Sequence, residues 1–169
     1  MPETLALAVW CAEPTARFDT RKFHFVRRDA LHAALDPLEG IRVLEWGKTG
    51  EKYQHEIVDL VVEVGRVAAP SAAVPALAYL QRLLAKNATS KAATAAVAQI
   101  IARLAPKQAA GEIALVHLHL LNNSVIRLYP AGQMAQAAIL RIISPDGGIT
   151  DLPYDASEAE IATLTGNVT

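Results

Sequence analysis

His117 and His119 are the residues of this chain whose type and spacing most directly invite chemistry. They stand two apart in an apolar segment, 113–121, whose residues 116–120 alternate apolar and polar with period two, the pattern of a β-strand. Residues two apart on a strand project to the same side. Two imidazoles so placed can supply two ligands to a metal ion, and a site needs a third from elsewhere, which the sequence does not name. The opposite side, Ala114, Val116, Leu118 and Leu120, reads as core. Ile113, Leu115 and Leu121 share the histidine side, which points to a half-covered face meeting a partner or another layer.

Other constellations carry less. His55, Asp59 and Glu63 fall on one stripe at helical spacing, with Glu56 nearby. An imidazole beside carboxylates can do acid–base work, but such a stripe is ordinarily a solvated face with i, i+4 pairing. Gly47-Lys48-Thr49 invites comparison with a phosphate-binding loop, which would require glycine at position 42, where the chain has Arg42. No serine stands in a Gly-x-Ser-x-Gly context and no dinucleotide-binding glycine pattern occurs. Cys11, the single cysteine, has no identifiable base and sits beside Trp10 as a buried thiol would. No catalytic residue is assigned and no cofactor is expected.

Residues 17–28 form a basic and aromatic segment. Arg17, Arg21, Lys22, Arg27 and Arg28 face only Asp19, and all three phenylalanines, Phe18, Phe23 and Phe25, lie there too. Cations interleaved with aromatics can hold a phosphate backbone and stack bases. The plainer expectation is a strand with its phenylalanines in the core and a basic rim. A net charge of −1 gives little general pull toward nucleic acid.

The elements that must position these residues follow from pattern. Leu5, Leu7 and Val9 mark a first strand, Asp29 caps a short helix over 30–34, and 41–46 is a second strand before a turn at 47–50. Tyr53, Ile57, Leu60, Val61 and Val64 share a helical face, although the β-branched content of 57–64 also suits a strand. Beyond Pro70 and Pro75 a helix carries Leu77, Leu80, Leu83 and Leu84. Thr89 or Ser90 caps another, with Val97, Ile100, Ile101 and Leu104 on one side and small Ala93, Ala96, Ala98 and Ala102 allowing close approach, ended by Pro106 and Gly111. Asn122-Asn123 and Pro145-Asp-Gly-Gly148 mark two hairpins, and Ser157 with Glu160 forms a capping box. The expected architecture is one α+β domain over 1–169. Its sheet is mixed and largely antiparallel, with a central block of helices on one face, making a two-layer sandwich. Its parts are a β-α-β unit over 3–48, a helical block over 50–107, a β-meander over 112–153 and a short terminal helix over 157–165.

Charge is distributed unevenly along this frame. Between 64 and 111 the chain has six basic residues, Arg66, Arg82, Lys86, Lys91, Arg103 and Lys107, and no acid. From 144 onward it has five acids, Asp146, Asp151, Asp155, Glu158 and Glu160, and no lysine or arginine. A basic helical surface and an acidic end, the latter built on Asp151, Asp155, Glu158 and Glu160, attract each other within one chain or head-to-tail between chains. With 52% hydrophobic and 20% charged residues, the chain also has apolar surface for a partner to cover.

The arrangement of strands around alanine-rich helices, followed by a Pro-Asp-Gly hairpin, resembles small modules associated with bacterial effectors. That resemblance implies an adaptor and assigns no residue. The expected function is a non-catalytic protein–protein interaction or oligomerisation module whose partner is a protein or a second copy. Nucleic-acid binding through 17–28 is the alternative, and a metal-dependent enzyme or ligand binder on His117 and His119 a further one. The apolar runs are too short and too broken by proline to span a bilayer, and one cysteine fits a reducing, cytoplasmic setting.

Overall fold

Segments with apolar residues at every second position become strands, because antiparallel pairing lets one side of each bury while the backbone groups satisfy one another. A computed structural model describes residues 3–10, 41–48, 57–64, 74–87, 89–111, 115–120 and 122–166. Its strands are β1 (Glu3–Trp10), β2 (Ile41–Lys48), β3 (Ile57–Val64), β4 (Val116–His119), β5 (Val125–Tyr129), β6 (Ile139–Ile143) and β7 (Ile149–Pro153). Its helices are α1 (Pro75–Lys86), α2 (Lys91–Ala109) and α3 (Glu158–Thr165). The described strands form one sheet in the order β2-β3-β1-β4-β5-β6-β7, every pairing antiparallel.

The α+β class holds, with helices on one face of the sheet. Val116, Leu118, Leu120, Ile126, Leu128, Leu140, Ile142 and Leu152 point to that face and share a core with Leu77, Leu80 and Leu84 of α1, Val97, Ile100, Ile101 and Leu104 of α2, and Ile161 of α3. The residues between them along the strands point the other way. Residues 93–98 of α2 are buried on every side, as expected of a helix enclosed all round. It lies over β1, β3 and β4 with α1 alongside, and α3 packs on α1 and β7.

Several expectations need correction. Residues 57–64 are not helical: Ile57–Val64 is a strand paired on both sides, with β1 and with β2. Its run of isoleucine, leucine and valine suits a pleat with neighbours on both flanks, so the helical block reduces to α1 and α2. Asp59 and Glu63 are then four residues apart along a strand, about 13 Å, instead of one helical turn. The expected turn begins later, since β2 continues through Gly47 and Lys48, paired with Asp59 and Val58. Pro106 does not end α2, which runs on to Ala109. A proline this near the C-terminus removes one backbone bond and is outweighed by the packing of the helix. The stop comes at Gly111, whose φ of 79° places it in the left-handed region. The expected helix over 30–34, with Tyr53, His55, Glu56 and Cys11, lies outside the described residues.

Both C-terminal hairpins close in the same way. In the first, Asn123 N–H donates to Leu120 O at 3.0 Å, Leu120 N–H to Ser124 O at 2.9 Å, and Asn123 takes a φ of 69°. In the second, Gly147 N–H donates to Ser144 O at 2.9 Å, Ser144 N–H to Gly148 O at 2.8 Å, and Gly147 has a φ of 92°. These are three-residue loops whose third position must be left-handed, which asparagine tolerates and glycine prefers.

The first turn is also tied to the helical layer. Ser90 caps α2, its Oγ accepting from Ala93 N–H at 3.1 Å. Thr89 serves otherwise: Asn122 Nδ2 donates to Thr89 Oγ1 at 3.0 Å and to Asn87 O at 3.2 Å, while Asn122 Oδ1 accepts from Ser124 N–H at 3.0 Å. One side chain thus joins the β4–β5 turn to the α1–α2 connection. At the other end of α2, buried Gln108 donates from Nε2 to Leu128 O of β5 at 2.7 Å. Asn122→Ala should therefore lower unfolding free energy by about 1–3 kcal/mol, measured as a shifted urea midpoint by circular dichroism. An unchanged midpoint would mean that the α1–α2 connection is held in place without this side chain.

Candidate functional site

The face of β4 to β7 turned away from the helices carries a cross-strand row that register dictates. His117 lies opposite Arg127, Arg127 opposite Arg141, and Arg141 opposite Asp151. The hairpin bonds at Leu120–Ser124 and Ser144–Gly148 set the alternation along each ladder. Counting from them, His117–Arg127 and Arg141–Asp151 are non-hydrogen-bonded pairs, with Cα atoms about 4.5 Å apart, whereas Arg127–Arg141 is a hydrogen-bonded pair at about 5.5 Å. Like charges directly opposite repel. Each arginine turns to the nearer neighbour on its other side, where an acceptor stands.

Arg141 meets Asp151 with both ends of its fork, Nε to Oδ1 at 2.8 Å and Nη2 to Oδ2 at 2.9 Å. This pairing raises the Arg141 pKa further above its already high value. Arg127 turns to neutral acceptors: Nε donates to His117 Nδ1 at 3.1 Å and Nη1 to Tyr129 Oη at 3.1 Å. Tyr129 stands between the two cations, because the Arg141 guanidinium carbon also lies 5.5 Å from its ring centroid. Beside the row, Leu115, Tyr129 and Ile139 form a second small buried cluster on the same face.

His117 and His119 project together, as their spacing predicts, with His117 half-buried and His119 exposed. Their rings meet edge-on with centroids 6.5 Å apart. His119 Nε2 lies 3.3 Å from Asn123 Oδ1. Burial of His117, with Arg127 and His119 beside it, holds its pKa down at about 4. Neutral His117 accepts on Nδ1, so its proton resides on Nε2. Among the described residues no third histidine, cysteine, aspartate or glutamate joins the pair to make a metal-ligand set, and the Nδ1 of His117 is engaged by a cation.

The other candidate residues are dispersed. Arg82 and Lys86 are exposed on α1, and Lys91 and Arg103 on α2, where Lys107 is half-buried. Arg82 lies over the ring of Tyr79, 5.7 Å from its centroid. Asp155, Glu158 and Glu160 are exposed around the start of α3, and Glu160 closes the capping box with Ser157. Asp151 is separated from them, committed to Arg141 on the sheet. Arg66 and the segment with Arg17, Phe18, Arg21, Lys22, Phe23, Phe25, Arg27 and Arg28 lie outside the described residues. Sequence reasoning passed over Arg127, Tyr129 and Arg141. The expected tight turn at Asn122-Asn123 hides them: a two-residue loop would set His117 opposite Leu128, whereas the three-residue loop closed by Leu120 and Ser124 sets it opposite Arg127.

Unfolded, His117 takes up a proton near pH 6.5; folded, only near pH 4. Between these values the unfolded chain binds more protons, so the contribution of His117 is fully present above pH 6.5 and is lost as pH falls toward 4. Allowing for screening at a half-exposed ring, the loss should reach about 1–2 kcal/mol. The stability difference between wild type and His117→Gln, measured by urea unfolding, should therefore shrink from about pH 7 to about pH 5. A difference independent of pH would mean that the imidazole titrates as it does in water.

The chain matches no family model, no curated protein and no solved structure, so its surfaces have to carry the functional reading.

Proposed function

We propose that the chain is a non-catalytic interaction module that docks by charge on a second copy of itself. The observation behind this reading is the segregation of exposed ions that have no ion-pair partner among the described residues. Arg82, Lys86 and Lys91 stand on α1 and α2, and Asp155 and Glu158 at the start of α3, and none of the five forms an ion pair among the described residues. Opposite surfaces of this kind steer two copies into a head-to-tail contact. Leu164, one turn after Glu160 on α3 and 58% exposed, adds an apolar residue to this end of the chain, and interfaces combine apolar centres with polar rims. The remaining ionisable groups near the histidines stand in a cross-strand row and pair with one another, an arrangement that supports docking more than catalysis.

A module of this type serves as an adaptor, and the one cysteine fits a reducing, cytoplasmic setting. No described helix is long and apolar enough to cross a membrane.

Sedimentation velocity tests the reading. Association should be evident at about 20 mM salt and weaken sharply at about 500 mM, where the screening length falls to a few ångströms. The double variant Arg82→Glu, Lys86→Glu should sediment as a monomer in both. A wild-type chain that is monomeric at low salt and high concentration would overturn the proposal.

A further inference from the structure

The two arginines of the sheet row are not equivalent. Arg141 is neutralised by the bidentate contact with Asp151. Arg127 is half-buried, held by two neutral acceptors, and has no carboxylate among the described residues. A guanidinium has five N–H donors; Nε and one hydrogen of Nη1 are committed, and Nη2 makes no hydrogen bond among the described residues. The fork is therefore oriented in advance by side chains that leave its charge intact. A cation half withdrawn from water without a counter-charge is costly, and Arg127 carries that cost.

The next row along the same face is largely apolar. His119 lies opposite Val125, Val125 opposite Ile143, and Ile143 opposite Ile149. Val125 and Ile143 are half-buried and Ile149 is 59% exposed. Each is two residues from its neighbour in the charged row, hence on the same face. The face thus offers one planar cation flanked by an aliphatic strip. The row His117, Arg127, Arg141 and Asp151 carries two guanidiniums, one carboxylate and a neutral imidazole, leaving a single positive charge. A singly charged anion balances it; a phosphate dianion does not. The hydrogens left on Nη2 and Nη1 can donate to the oxygens of a carboxylate.

We infer that Arg127 anchors a bound carboxylate on this face, with the apolar body of the ligand along Val125, Ile143 and Ile149. This site is on the opposite side of the sheet from the charged helices and does not depend on the docking reading.

Hexanoate is a suitable probe, with hexanol and inorganic phosphate as controls, followed by amide chemical shifts and titration calorimetry on the full chain. Hexanoate should give saturable shifts in β5 and β6, and hexanol should bind at least tenfold more weakly. Arg127→Gln should weaken hexanoate tenfold or more, while Gln133→Ala, at an exposed loop position, should leave it unchanged. The Arg127 Nε resonance of the wild type should move on addition of hexanoate, a readout that stands even if Arg127→Gln does not fold. An unmoved Nε resonance, hexanol binding as well as hexanoate, phosphate binding more tightly than hexanoate, or a folded Arg127→Gln chain with unaltered affinity would each overturn the assignment.

Discussion

Backbone register across β4 to β7 determines which side chains of this protein meet. With side chains alternating at every residue, a slip of one position between β4 and β5 would turn Arg127 into the helical core and Ile126 into solvent. Burial of Ile126, Leu128, Leu140, Ile142 and Leu152 against α1, α2 and α3 forbids that slip. The same burial therefore fixes the row on the opposite face, although none of the core residues touches it. Polar contacts there are a consequence of apolar ones elsewhere.

Register is also pinned locally. Two loops of equal length, each with its third residue left-handed, set the pairing of the strands they join. Asn122 then holds the first loop against the helices, and Gln108 holds α2 against Leu128 from the other end. The layers are thus joined at both ends of α2 by amide side chains, with hydrocarbon between. Packing alone tolerates sliding better than a hydrogen bond, whose strength falls steeply with geometry, so these two contacts add direction to an interface that the core merely holds together.

Much of the fold was legible from local pattern. Pro75, Ser90, Ser157 with Glu160, Asn123 and Gly147 each act through their own backbone or a neighbour three residues away, and each does what its chemistry suggests. Residues 57–64 misled because Leu60, Val61 and Val64 fit a helical face as well as a pleat. What decides between them is the presence of β1 and β2 on either side, a long-range fact. The candidate site divides similarly. The histidine pair is visible at spacing two, but Arg127, Tyr129 and Arg141 acquire meaning only once strands are laid side by side. Asp151 reads along the chain as one more acid, and across the sheet as the counter-ion of Arg141.

The last strand in the order, β7, has no described strand on its outer side. The ladder from Ser144–Gly148 to Tyr154–Ala138 makes Ile149, Asp151 and Pro153 the residues whose backbone amides point outward. Proline has no N–H to offer there, and Asp151 sets a charged side chain in the middle. At the far end, β2 is interrupted by a bulge between Val43 and Glu45. Both edges of the described sheet thus resist strand addition, the route by which sheets grow into fibrils. Contacts that these two edges discourage fall instead to side chains on the faces of the sheet and helices, where salt or a small solute can compete for them.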